Sequence, residues 1–175
     1  MLRDDLLSLR TRTPFAVIFG CSDSRLAAEI IFDLGLGDAF VVRTAGQVID
    51  DAVLGSLEYS ISELRVPLIV ILGHDSCGAV KATKAAVETG EMPPPGFIRD
   101  LVERITPPSV LTAKRNSQED VNDMVVEHVK QTAARLADSS RVISDAIDDG
   151  RVAVIGLSYK LDEGRAALVS GIGKL

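Results

Sequence analysis

Residues 15–25 read FAVIFGCSDSR and residues 66–78 read VPLIVILGHDSCG, and what these two stretches share decides the fold. Each opens on a short apolar run, closes it with one glycine and then delivers a residue capable of chemistry: Cys21 after Gly20, His74 after Gly73. Runs that are continuous rather than alternating in hydrophobicity suit strands buried on both faces, as in a parallel sheet covered by helices. Strands are therefore expected at Phe15–Phe19, Ala39–Arg43, Pro67–Leu72 and Arg151–Leu157. Between them, Asp50–Leu64 places Val53, Leu54, Leu57, Ile61 and Leu64 on one helical face, and Cys77–Glu88 reads as helix ended by Gly90. Asn116–Ala137 reads as one long helix, with Ser117 as N-cap and Val121, Met124, Val125, Val129 and Leu136 as its apolar stripe. Met92–Gly96 and Pro107–Pro108 read as rigid breaks around a short helix. The alternation predicts an α/β fold with right-handed crossovers: a mostly parallel central sheet of about four core strands flanked by helices. A single domain is expected over residues 1–175, with a short N-terminal arm at 1–13.

The bulk numbers narrow the function classes. Of 175 residues, 46% are hydrophobic and 25% charged, the balance of a soluble globular protein. The most concentrated apolar stretch, Val66–Gly73, falls far short of the ~20 residues of a membrane span. The formal charge of −6 repels phosphate backbones, so no nucleic-acid or membrane partner is expected. MLRDDLLSLR at the N-terminus is charged throughout and does not read as a signal peptide. With only two cysteines, the chain is not a disulfide scaffold, and a reducing, cytoplasmic setting is expected.

The scarce residues are concentrated. Of two cysteines and two histidines, three fall in the quoted stretches: Cys21, His74 and Cys77. Ligands of parallel α/β sheets bind beyond the carboxyl ends of the strands, so the three converge if the two strands are neighbours. Two thiolates and an imidazole suit Zn²⁺, and three protein ligands leave a fourth position for water. Either motif alone is more simply read as buried small cysteines and a hydrogen-bonded loop histidine; it is their matching placement that points to a metal. Asp23 has two roles open to it, a fourth ligand or an acceptor for the bound water. Arg25 beside it would hold the carboxylate in a bidentate pair. An ordinary Asp–Arg pair capping a helix is the plainer alternative. A formally neutral zinc site lowers the pKa of water less than a three-histidine site, so activity should rise toward alkaline pH.

CSDSR after an apolar strand, with GHDSCG about fifty residues later, resembles the β-class carbonic anhydrases, zinc enzymes that interconvert CO₂ and bicarbonate. FVVRTAG at Phe40–Gly46 and SYKLDEG at Ser158–Gly164 belong to the same likeness. The resemblance implies Cys21, His74 and Cys77 as zinc ligands, Asp23 and Arg25 as the catalytic dyad, and hydration of CO₂ by zinc-bound hydroxide. Asp23 would ligate zinc only in a closed, inactive state. It also implies a homodimer or higher homo-oligomer with the site near the subunit boundary, and a substrate pocket of Phe40, Ala45, Tyr59 and Gly78. Three positions depart from the family. Arg12 stands where a glutamine usually holds substrate. About fourteen residues precede the first strand, where a longer helical arm is usual. Ile18 replaces the tryptophan of an inhibitory bicarbonate site whose arginine and tyrosine match Arg43 and Tyr159. His128, the remaining histidine, is expected on the exposed side of its helix, and Asp75 is a candidate proton relay. Carbonyl sulfide or carbon disulfide hydrolysis on the same site, a catalytically silent zinc- or bicarbonate-binding module, and a redox-sensing cysteine pair are the competing readings.

Overall fold

The computed structural model describes residues 13–174. Its sheet runs β2-β1-β3-β4-β5, from β1 (Ala16–Cys21), β2 (Ala39–Thr44), β3 (Leu68–His74), β4 (Ala153–Lys160) and β5 (Arg165–Ile172). The first four strands are mutually parallel and β5 is antiparallel to β4. Helices α1 (Ala28–Ile31), α2 (Asp51–Ser62), α3 (Gly78–Thr89), α4 (Phe97–Ile105), α5 (Thr112–Arg115), α6 (Val121–Ser139) and α7 (Arg141–Asp148) fill the connections. Because β2 lies to one side of β1 and β3 to the other, right-handed crossovers put α1 on one face and the remaining helices on the opposite face.

The helical face carries the core. Val17, Phe19, Ile69, Ile71 and Val154 are fully enclosed against Leu57, Met124, Val129, Leu136 and Ile143. The other face is thinly covered, and Ile18, Val70, Ile155 and Leu157 line an apolar trough with Phe15, Phe32 and Leu34. Helix α6 sits close on the sheet because Gly73 and Gly156 leave a notch for Val129, whose methyls a Cβ at either glycine would overlap. Gly73→Ala is therefore expected to cost about 1–3 kcal/mol, read from urea unfolding at neutral pH. An unchanged midpoint would mean that α6 can lift away freely.

Four expectations are corrected. The long helix begins at Val121, not Asn116, and its cap is Asp120, whose side chain accepts from the Asn122 N–H at 2.7 Å. Ser117 adopts φ 59° and ends α5: the Gln118 N–H returns to the Ala113 carbonyl at 2.9 Å, the closing bond of a left-handed helix stop. Pro107–Pro108 does not break the chain. Both sit in the first turn of a wide helical segment, Thr106–Leu111, where a missing N–H costs little. The sheet also has a fifth strand, β5, at its exposed edge, outside the four expected runs, although Ala166–Val169 is a short apolar stretch. Both motif strands run further than expected and end on Cys21 and His74 themselves.

Candidate metal centre

The first two ligand candidates are set by the β1–β3 pairing. Gly20 stands opposite Leu72 in that parallel register, so Cys21 and His74 leave the same edge of the sheet on adjacent strands. Two residues then turn the chain into α3: Ser76 takes φ 52° and its N–H is caught by Asn122 Oδ1 at 2.9 Å. That turn delivers Cys77 as the N-cap of α3. The sulfur, nitrogen and sulfur ligand atoms of Cys21, His74 and Cys77 all lie within 4.8 Å of one another, and all three residues are buried.

The donor set is prepared for a soft cation. His74 Nδ1 lies 2.8 Å from the Asp75 carbonyl, which can only accept, so Nδ1 carries the proton and Nε2 is left with its lone pair. Nε2 is buried and has no hydrogen-bond partner among the described residues. The Cys21 thiol is pulled below the ordinary thiol range, chiefly by the hydrogen bond from Cys77 and in part by the Gly46 N–H, against burial. Cys77 holds the shared proton and is pushed above the ordinary thiol range by the same contact and by burial. An orphaned imidazole nitrogen beside a thiolate–thiol pair fits Zn²⁺, which a cluster of hydrogen-bonded core residues would not require.

Asp23 and Arg25 stand next to this cluster. Arg25 Nε donates to Asp23 Oδ1 at 2.9 Å and Nη2 to Oδ2 at 2.8 Å, and the Arg25 backbone N–H adds a third bond to Oδ1 at 2.9 Å. This clamp holds the Asp23 carboxyl well below the usual carboxylate range. Oδ2 also lies 3.9 Å from His74 Nε2, so the carboxylate faces the ligand atoms while remaining paired with Arg25. The Asp23 loop has a further support that the sequence did not reveal. Arg43 reaches across from β2, donating to the carbonyls of Cys21 at 3.0 Å and Asp23 at 2.5 Å.

Not every named residue converges. Ala45 and Gly78 are exposed, at the strand end of β2 and the first turn of α3. Phe40 pairs with Val17, four register positions below the level of Cys21, a separation of roughly 13 Å along the strand. It packs against Tyr59 at a ring-centroid distance of 6.2 Å, so within one chain these two aromatics lie apart from the cluster. Tyr159 stands opposite His74 in the β3–β4 register, while Ile18 lines the apolar trough. The Asp75 carboxylate accepts the Leu161 N–H at 3.0 Å. Arg12, with all but the last residue of the expected arm 1–13, lies outside the described residues.

His128 is a correction. It is buried, 4% exposed, because α6 packs against the sheet on one side and against the 106–111 turn on the other. Burial pushes its pKa from 6.5 down to about 4, opposed in part by its bond to the Gly46 carbonyl. The unfolded chain therefore takes up this proton near pH 6.5 and the native one near pH 4, so stability falls as pH drops through that interval. The loss should approach about 3 kcal/mol by pH 4 and level off below it. Urea unfolding of wild type and His128→Gln at pH 7 and pH 4.5 checks this: the variant should lose less stability, and equal losses would count against it.

A family model described as carbonic anhydrase matches residues 16–166. Carbonic anhydrase 2 of Mycobacterium tuberculosis (strain ATCC 25618 / H37Rv) is 56% identical over 162 residues, covering 93% of this chain and 77% of that protein. A carbonic anhydrase of Mycolicibacterium smegmatis is 52% identical over 166 residues, covering 95% of this chain and 80% of that protein. Among solved structures, the β-carbonic anhydrase CcaA superposes with a TM-score of 0.83 at 22% identity, covering 98% of this chain and 90% of that one. A tetrameric β-carbonic anhydrase of Sordaria macrospora gives a TM-score of 0.80 at 20% identity, over 96% of this chain and 87% of that one. At those identities the two structural likenesses speak for the fold.

Proposed function

The chain is an enzyme of the carbonic anhydrase family, of the β class, and from that premise we propose that it interconverts CO₂ and bicarbonate with Zn²⁺ held by Cys21, His74 and Cys77. The observation that carries this reading is the convergence of those three ligand atoms within 4.8 Å beside a clamped Asp23–Arg25 pair. When bound, Zn²⁺ supplies a Lewis acid that lowers the pKa of water, less so among two thiolates than among neutral ligands.

The protein's own groups do the rest. With zinc held there, the ionised Asp23 would accept a hydrogen bond from the nucleophilic water and so orient its lone pair toward the carbon of CO₂. Arg25 keeps that carboxylate oriented, and Arg43 holds the loop beneath it. In the overall balance, CO₂ and water give bicarbonate and one proton, and the proton leaves to buffer. Asp75 is the nearest acidic residue to His74 in sequence and is the proposed first acceptor on that path.

A single domain, acting as a homodimer or higher homo-oligomer in the cytoplasm, completes the reading. The tetrameric relative supports the assembly, and two free cysteines support the compartment. Among the described residues no helix is long and apolar enough to cross a membrane.

Metal analysis together with stopped-flow CO₂ hydration from about pH 6.5 to 9 tests the proposal. About one zinc per chain is expected, with a rate that climbs toward the alkaline end. Full zinc with background rates throughout would overturn it, and faster turnover of carbonyl sulfide than of CO₂ would reassign the substrate.

A further inference from the structure

His128 is buried in the middle of α6, and none of the roles above uses it. Its Nε2 lies 2.7 Å from the Gly46 carbonyl oxygen. A carbonyl only accepts, so Nε2 carries the proton and donates. Gly46 is also held from its other side, where its N–H donates to Cys21 Sγ at 3.4 Å. One residue thus joins the histidine of α6 to the sulfur at the end of β1.

Gly46 itself has no grip on its neighbours. It takes φ 64°, ψ 24°, the left-handed region that favours glycine. A Cβ there would come to 2.8 Å of Ile105 Cδ1 and 2.9 Å of Ala79 Cβ, so no side chain can anchor it. Its orientation is left to whatever holds its two backbone groups, and His128 holds the carbonyl.

We propose that His128 is a positioning residue for the metal centre: its bond to the Gly46 carbonyl fixes the amide that donates to the Cys21 sulfur. An N–H···S bond stabilises the ionised form of a sulfur and orients its remaining lone pairs, so this amide presents Cys21 to a bound cation as an aligned thiolate. Outer partners of metal ligands act in this way, by orienting them and tuning their basicity. The inference rests on the zinc reading of the Cys21–His74–Cys77 site.

The test compares zinc affinity, by competition with a chromophoric chelator, in wild type, His128→Leu and His128→Gln. The thiolate-to-metal charge-transfer band of the cobalt-substituted proteins is the second readout. Leucine removes the donor, whereas the glutamine amide presents an N–H at a similar reach. His128→Leu should bind zinc about 10- to 100-fold more weakly and shift the cobalt band, while His128→Gln stays within about threefold of wild type. Wild-type affinity and an unshifted band in His128→Leu would overturn the proposal, as would equal losses in both variants.

If the leucine variant fails to fold, wild type decides. In ¹¹³Cd-loaded, ¹⁵N-labelled protein, the Gly46 amide proton should couple to cadmium through sulfur, and His128 should carry its proton on Nε2. Absent coupling or an Nδ1-protonated ring would overturn it. Wild type that takes up neither zinc nor cadmium would instead refute the metal reading itself.

Discussion

Cys21→Ser should empty the metal site and silence the enzyme together, with zinc falling from about one ion per chain to near none and CO₂ hydration by at least about a thousandfold. Serine is close in shape to cysteine, and position 21 is the last residue of a strand whose pairing to β2 and β3 is carried by backbone, so the fold should survive. What is lost is charge. The hydrogen bond from Cys77 and the Gly46 N–H pull the Cys21 thiol below the ordinary thiol range, so it favours the thiolate, accepting from Gly46 and facing His74. A serine hydroxyl does not ionise there, and a harder neutral oxygen is a poor ligand for zinc beside one remaining thiol. Metal analysis, circular dichroism and stopped-flow rates on the same preparation check each part. A folded variant with stoichiometric zinc and near-normal turnover would remove Cys21 from the site.

Asp23→Asn should keep its zinc and lose about 10²- to 10⁴-fold in kcat. The amide cannot take two N–H bonds from Arg25 as the carboxylate does, because one of its two ends is itself a donor. The shape of the pH profile carries further information. Arg25 holds the Asp23 carboxyl far below neutrality, so Asp23 is ionised throughout the working range and titrates nowhere within it. Replacing it should therefore lower the plateau without moving the midpoint of the alkaline rise. A moved midpoint with an intact plateau would make Asp23 the titrating group and overturn its role as an orienting one.

The ligands were legible because scarcity and strand ends coincide: a glycine followed by Cys21 or His74 marks the same edge of the sheet twice. The Asp23–Arg25 clamp was legible for a local reason, since two residues of spacing let the pair close within one turn of chain. His128 was not. Its helix shows an apolar stripe, but sequence periodicity cannot reveal that the 106–111 turn covers a second face, where Ser109 Oγ bonds the Met124 carbonyl at 2.8 Å. Arg43 was named only as part of a matched effector site, and its support of the Asp23 loop escaped, as did Gly46, because a reach to backbone carbonyls and a bare amide have no side-chain signature in one sequence. Strand β5 was hard to read because its apolar run, Ala166–Val169, is only four residues long and its edge position leaves it largely exposed, with Leu168 at 62%. Phe40 and Tyr59 were matched by motif position, and only the register of β2 and the ring contact to Tyr59 on α2 reveal how far from the cluster they stand.

The pairing of β1 with β3 also dictates the order in which the site can be built. Those strands are neighbours in the sheet but are joined only through β2 and two crossovers, so Cys21 meets His74 after some fifty residues of chain have been laid down. His74 and Cys77, one turn apart, form a half-site that nascent chain can offer a cation at once. Contacts between distant segments form slowly, because the intervening loop must be closed before they are rewarded. Metal held by all three ligands would then act as a staple across that loop. Its capture would mark the end of folding, and a chain refolded with zinc already present would have to carry the ion on two ligands until β1 arrives.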